Sequence, residues 1–282
     1  MNDRCRAEPS PVRWRVRVYG VVQGVGFRPF VYRLATGLGL TGWVGNTPEG
    51  VIIEAEGRPE ALQNLVDALK QQAPVHACVE AVCAEPLARP AAFQAFRVRE
   101  SEERGAATTR LPADLAPCGQ CTGELHDPDN RRYRYPFISC TDCGPRYSLI
   151  EGLPYDRERT AMRYFQMCPR CLAEYRNPES RRFHAEPNAC PECGPRVAFC
   201  QGDGCVLAEG EAALSEAVRR LRAGGIIALK GLGGFQLLAD ARNSHSVQTL
   251  RARKGRPRKP LAVMFGSLAS LRQMCPVSGP ES

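Results

Sequence analysis

Eight of the chain's 14 cysteines stand in four C-x2-C pairs, and their spacing is the clearest chemical signal in the sequence. Cys118, Cys121, Cys140 and Cys143 make one set, and Cys168, Cys171, Cys190 and Cys193 the other, each with the pattern C-x2-C-x18-C-x2-C. A C-x2-C pair on a tight turn aims two thiolates at one metal, and two such turns close a tetrahedral all-sulfur site. Four thiolates leave no position for water, so two structural zinc ions are predicted, each supplying much of its segment's folding energy. Iron–sulfur clusters use other spacings, and a redox C-x-x-C pair is the weaker rival. Cys5, Cys78, Cys83, Cys200, Cys205 and Cys275 lie outside the pattern and read as small apolar residues or surface thiols.

A second arrangement is built for an anion. Val18-Tyr-Gly-Val-Val-Gln-Gly-Val-Gly-Phe-Arg28 puts a glycine-rich turn between a strand pattern and a helix pattern. Gly24 and Gly26 let successive amides converge on one oxyanion at a helix N-terminus. Arg28 adds a planar fork matched to two phosphate oxygens. A turn of this kind is weak evidence alone, but the pattern continues into Gly39-Leu-Thr-Gly-Trp-Val-Gly-Asn46.

The elements that must hold these groups follow from periodicity. Trp14, Val16 and Val18 alternate with Arg13, Arg15 and Arg17, a half-buried strand. Phe30, Val31, Leu34, Ala35 and Leu38 recur at helical spacing, as do Leu62, Leu65, Val66 and Leu69. Strands are expected at 42–46 and 51–56, with weaker signals near 77–83 and 94–98. This β-α-β-β-α-β order predicts an α+β, ferredoxin-like domain over 12–99. Residues 100–117 lack a period and read as linker.

The cysteine region is a tandem repeat. A shift of 50 residues lays the first cysteine set on the second, and Glu124, Pro128, Arg131 and Arg132 on Glu174, Pro178, Arg181 and Arg182. The two modules span 118–143 and 168–193. After a spacer at 201–210, a helix carrying Leu214, Ala217, Val218 and Leu221 precedes a buried strand at 226–229 and a turn over Lys230–Gly234. A helix over 246–253 and a strand over Leu261–Phe265 follow, so 210–282 reads as the start of an α/β domain.

The net charge of +8 gathers toward the C-terminal end, where residues 200–282 carry 12 basic and 6 acidic side chains. Arg251, Arg253, Lys254, Arg256, Arg258 and Lys259 lie within nine positions, which suggests a phosphate-bearing partner as readily as a solvated helix end. In the cysteine region, eight thiolates and two zinc ions bring the formal charge of 104–199 from +2 to −2. A weakly acidic module lacks the footprint that nucleic acid requires, so none is expected as partner. No apolar run reaches the ~18–20 residues of a membrane span. The opening MNDRCRAEPS has no apolar core of a secretory signal, so no membrane and a cytoplasmic location are expected.

The stretch VYGVVQGVGFRPFVYRLATGLGLTGWVGNTPEGVIIEAEG resembles the acylphosphatases over about 12–99. That resemblance implies Arg28 as the phosphate-binding residue and Asn46 as the residue that orients the attacking water. It implies further that the loop Gln23, Gly24, Val25, Gly26 and Phe27, up to Arg28, holds the phosphoryl oxygens through its amides. ALKGLGGFQLLADARNSHSVQTLRARKGRPRKPLAVM resembles the first part of the YrdC-like domains, which bind ATP. By that likeness Lys230, Lys254, Arg256 and Lys259 are candidates for nucleotide phosphates. In this order, with the paired modules between them, the parts look like the N-terminal portion of the HypF carbamoyltransferases of nickel–iron hydrogenase maturation. The resemblance implies hydrolysis of carbamoyl phosphate, then carbamoyl-adenylate formation with ATP as substrate of the complete protein, and transfer to a HypE-like acceptor. The YrdC-like region is short at about 70 residues and no transferase segment follows, so acyl phosphate hydrolysis alone is expected of this chain. A stand-alone acylphosphatase with zinc-binding scaffold modules, or a threonylcarbamoyl-adenylate synthase-like protein of tRNA modification, are the alternatives.

Overall fold

The computed structural model describes residues 11–89, 91–102 and 105–279. They fall into two compact units that divide between Arg196 and Val197. Cys5 lies outside the described residues.

The first unit begins with β1 (Val12–Val21), α1 (Phe27–Gly37), β2 (Thr41–Thr47), β3 (Gly50–Gly57), α2 (Pro59–Gln71), β4 (Cys78–Leu87) and β5 (Phe96–Val98). The sheet order is β4-β1-β3-β2-β5. The first four strands pair antiparallel and β5 runs parallel to β2. This is the expected ferredoxin-like layer, with the 94–98 segment extending it beside β2. The alternation in β1 does what a half-buried strand should do. Val16 and Val18 are buried, while Arg13 and Arg15 cross to Glu54 on β3, and Arg15 and Arg17 to Glu85 on β4. One sheet face is thus covered with ion pairs, and the other is apolar.

The apolar face packs against α1 and α2, where Val31, Ala35, Leu62, Leu65 and Leu69 meet Val16, Val18, Val44 and Ile53. Leu65 is fully buried. Leu65→Ala is expected to cost about 2–5 kcal/mol, because lost transfer energy adds to an unfilled cavity. A urea titration reads this as a lower midpoint with an unchanged slope.

The segment expected as linker is packed rather than free. Thr108 and Thr109 donate their amides to the Pro48 carbonyl, and the buried Thr109 hydroxyl reaches the Gly20 carbonyl at 3.3 Å. Leu115 exchanges both backbone hydrogen bonds with Gly144. These bonds need no side-chain period, which is why the sequence shows none. The repeat follows. Helices α3 (Gly119–His126) and α4 (Pro169–Arg176) each start directly after the first cysteine of their set, and 3-10 turns at Arg157–Arg159 and Ala161–Tyr164 lie between the modules.

The second unit holds β6 (Ala198–Cys200), β7 (Val206–Glu209), α5 (Gly210–Arg222), β8 (Ile227–Gly231), β9 (Gly234–Leu238), α6 (Ser244–Lys254) and α7 (Leu268–Arg272). Its strands form two antiparallel hairpins, β6–β7 and β8–β9. Part of the 201–210 spacer is therefore strand β7. The turn expected over Lys230–Gly234 is the tip of the second hairpin, and β9 was not anticipated. Helix α6 is capped as its sequence permits, Asn243 accepting from the Ser246 amide and Gly255 closing the end at φ 60°. Two expectations fail. The strand at 227–231 is largely exposed, because a two-stranded hairpin offers no third strand or second layer to cover it. Leu261–Phe265 forms no strand: no described strand lies beside it, and Met264 is 89% exposed. Among the described residues, no helix is long and apolar enough to cross a membrane.

Candidate functional site

Both cysteine sets converge as their spacing requires. Within each set the four sulfurs lie within 4.8 Å of one another. Neighbouring sulfurs stand 3.7–3.8 Å apart in the first set and 3.6–3.8 Å in the second. Tetrahedral zinc with Zn–S bonds of about 2.3 Å demands about 3.8 Å between sulfurs, so the donor set and its geometry fit the ion. Cys78, Cys83, Cys200, Cys205 and Cys275 are exposed and belong to neither cluster.

The two modules brace each other across a local pseudo-two-fold relation. Arg131 and Arg132 of the first module reach Glu174 of the second at 2.7 and 2.6 Å, and both donate to the Cys171 sulfur. In return Arg181 and Arg182 of the second module pair with Glu124 of the first at 2.5 and 2.6 Å, and Arg181 donates to the sulfurs of Cys118 and Cys121. The Nε of Arg132 bonds the Ala189 carbonyl, and that of Arg182 bonds the Ser139 carbonyl 50 positions earlier. Four zinc-bound thiolates carry surplus negative charge, and guanidinium donors from the opposite module offset it.

The anion loop lies against these modules. Gly24 and Gly26 take left-handed conformations at φ 71° and 75°. A side chain at Gly24 would also meet Pro112 at 3.1 Å and Arg146 at 3.3 Å. Among the described residues, no amide from 23 to 28 donates a turn or loop hydrogen bond to the protein. The Gln23 side chain is committed elsewhere: its Nε2 donates to the carbonyls of Thr47 and Gly50, and its Oε1 accepts from the Tyr155 amide. Arg146 fastens the zinc loop to the anion loop. Its Nε donates to the Gly24 carbonyl while its two Nη groups hold carbonyls of Cys140, Thr141, Cys143 and Pro145.

Arg28 lies in the first turn of α1 and is 7% exposed. Nη1 donates to Asp156 at 2.6 Å, and Nη2 to Glu186 at 2.6 Å and to the Tyr155 carbonyl at 3.0 Å. Burial works against its charge, yet Glu186 and Asp156 outweigh burial and hold the guanidinium above its ordinary pKa. Burial pushes the Glu186 carboxyl up despite the pull of Arg28. Burial and the Arg28 charge push His184 down to about 4, so its imidazole is neutral near pH 7. Asn46, on β2, donates to the same Tyr155 carbonyl at 3.1 Å, and its buried Oδ1 has no partner among the described protein groups.

Arg28, Asn46 and the loop line one cavity of about 20 Å³, roofed by Thr141, Arg146, Tyr155 and the 184–187 stretch. That is room for about one water. A larger cleft of about 360 Å³ shares Arg28, His184 and Glu186 with it and adds Asp156, Arg157 and Tyr175. Sequence reasoning paired Arg28 with Asn46 but missed this roof. A trace existed in the repeat, where Glu186 falls on Pro136 and so has no counterpart in the first module.

Comparison with known proteins agrees with each part. The acylphosphatase family model matches residues 14–98, the HypF finger residues 118–150 and 167–200, and the Sua5/YrdC model, described as telomere recombination, residues 219–281. Carbamoyltransferase HypF2 of Cupriavidus necator is 52% identical over 275 residues, 97% of this chain and 34% of that protein. The chain belongs to the HypF family. It spans about a third of the length of the curated HypF relatives it matches. A crystal structure of full-length HypF, in the phosphate- and nucleotide-bound form, superposes at a TM-score of 0.86 with 37% identity, covering 99% of this chain and 36% of that one. An acylphosphatase of Caldivirga maquilingensis is 46% identical over 91 residues, 32% of this chain and 96% of that protein. As a HypF-family chain it thus carries an acylphosphatase domain, two four-cysteine clusters and a YrdC-like region. In that last region Lys254, Arg256 and Lys259 lie on and after α6, and Lys230 lies on β8, all exposed. No hydrogen bond or ion pair among the described residues joins Lys230 to the other three. Lys230 instead stands over the Phe235 ring at 5.7 Å, and Arg251 holds the carbonyls of Arg256 and Lys259.

Proposed function

We propose that the anion loop hydrolyses acyl phosphates, with carbamoyl phosphate as the substrate. The observation behind this reading is the convergence, on one pocket, of undonated loop amides, Arg28 and the unpartnered Oδ1 of Asn46. A guanidinium has five N–H groups. Three of those on Arg28 are given to Asp156, Glu186 and Tyr155, which leaves Nε–H and one Nη1–H for phosphoryl oxygens. The amides of Gln23 to Arg28 supply the remaining donors, aimed where negative charge builds in the transition state.

Asn46 fixes a water through Oδ1 while its own Nδ2 is anchored on Tyr155. The water oxygen attacks phosphorus, and the bond from phosphorus to the acyl oxygen breaks. Phosphate and carbamate leave, and the water's protons pass to phosphate and solvent. Carbamate departs readily as an anion, so positioning and charge stabilisation suffice without a strong acid. The neighbouring cleft, which shares Arg28, His184 and Glu186 with this pocket, gives the substrate its approach. Zinc, when bound, holds the modules that carry this roof and takes no part in the reaction.

The later steps follow from the family. Carbamate would react with ATP at the YrdC-like domain, where Lys230, Lys254, Arg256 and Lys259 face nucleotide phosphates. The carbamoyl group would pass to a thiol of a HypE-like partner, toward the cyanide ligands of nickel–iron hydrogenase in the cytoplasm.

Asn46→Ala tests the water-positioning role. It is expected to lower kcat by about 100-fold while KM changes little, since the lost contact is to the nucleophile and not to the phosphoryl group. A steady-state comparison on carbamoyl phosphate checks it; an unchanged kcat removes Asn46 from the mechanism.

A further inference from the structure

Glu186 comes from the second zinc module, yet it sits on the guanidinium of the acylphosphatase domain. Its carboxylate is 1% exposed and is held independently of Arg28. The Tyr175 hydroxyl lies 3.2 Å from Oε1 and 3.0 Å from Oε2, and the Arg157 amide donates to Oε2 at 3.1 Å. Arg157 in turn spans the carbonyls of Glu186, Asn188 and Phe165. A carboxylate held by two donors besides Arg28 is an anchor and not a mobile counter-ion. The Arg28 fork is fixed by that anchor, by Asp156 and by the Tyr155 carbonyl, none of which belongs to the acylphosphatase domain.

We propose that Glu186 is a positioning residue for acyl phosphate hydrolysis, setting the Arg28 guanidinium so that its remaining N–H groups face the phosphoryl site. This inference rests on the function proposed above. The second module thereby completes a site whose phosphate loop lies more than 150 residues earlier, Glu186 being 158 positions from Arg28. A guanidinium without this anchor samples other rotamers, and displacement of a binding group by about 1 Å costs about 100-fold in rate.

The test uses the zinc-loaded chain. Glu186→Gln keeps the side chain's size and removes the charge that grips Arg28, while Tyr175→Phe leaves the carboxylate and frees it to move. Both are expected to retain two zinc ions per chain. For carbamoyl phosphate, kcat/KM is expected to fall about 10- to 100-fold in the first and less in the second. Placed on Arg28→Lys, Glu186→Gln should cost nothing further, because both changes act through one guanidinium. Full or increased activity of Glu186→Gln overturns the proposal, as does a loss that simply multiplies with that of Arg28→Lys. Should Glu186→Gln lose its zinc, the same comparison made with Tyr175→Phe decides. If the parent chain hydrolyses neither carbamoyl nor acetyl phosphate, the functional reading falls and takes this proposal with it. An active parent with an equally active Glu186→Gln removes the positioning role alone.

Discussion

Arg28→Lys is expected to lower kcat/KM for carbamoyl phosphate by about 100- to 1000-fold while the chain keeps its fold and its zinc. Loss of one preorganised donor to a developing oxyanion typically has this effect. Lysine keeps the positive charge but replaces a planar five-donor fork with a single ammonium. It can satisfy Glu186 or Asp156, and has no second rigid edge to present to a phosphoryl group. The substitution to alanine is less informative. It would strand the fully buried Glu186 without its cation, and an orphaned buried charge costs about 3–5 kcal/mol of stability on its own. Rates for the lysine variant, with circular dichroism and zinc content alongside, separate loss of chemistry from loss of fold.

Removal of zinc is expected to unfold residues 118–196 and leave the acylphosphatase fold standing. Structural zinc contributes about 10–16 kcal/mol per site at neutral pH, as much as the whole stability of an ordinary domain. The modules have small apolar clusters that enclose the cysteines, the second made almost wholly of them. Arg131 and Arg132 also rest on Cys171 and Glu174, and Arg181 and Arg182 on Cys118, Cys121 and Glu124, so neither module keeps its partners once the other loses its ion. The sheet and its two helices have a separate core around Val16, Ile53, Leu62 and Leu65. Hydrogen exchange after chelation should therefore show protection lost across the modules and kept in β1 to β4. Protection retained in 118–196 would mean that packing, not metal, holds the modules.

The cysteine sets and the glycine turn before α1 were legible because each is a local pattern, whereas Asn46 was joined to Arg28 only through the resemblance to the acylphosphatases. A C-x2-C turn, two glycines before a helix and an alternating strand declare themselves within a dozen residues. The roof was not legible. Tyr155, Asp156 and Glu186 meet Arg28 from 127 to 158 positions away, and no period or spacing encodes contact at that range. The repeat held more than was taken from it. Matched Glu124/Glu174 and Arg131/Arg181 pointed to a shared role, which the structure shows to be reciprocal bracing between modules. Leu261–Phe265 misled for a different reason. A short apolar run states a wish to be covered, and a strand exists only where another strand accepts its hydrogen bonds.

The most direct test is to incubate the zinc-loaded chain with carbamoyl phosphate in heavy-oxygen water and follow the phosphorus resonance. Attack of an Asn46-held water at phosphorus predicts inorganic phosphate carrying one heavy oxygen, formed far faster than without protein. Phosphate released without the label would contradict attack at phosphorus by an Asn46-held water, and release at the protein-free rate would contradict a hydrolytic site at the Arg28 loop.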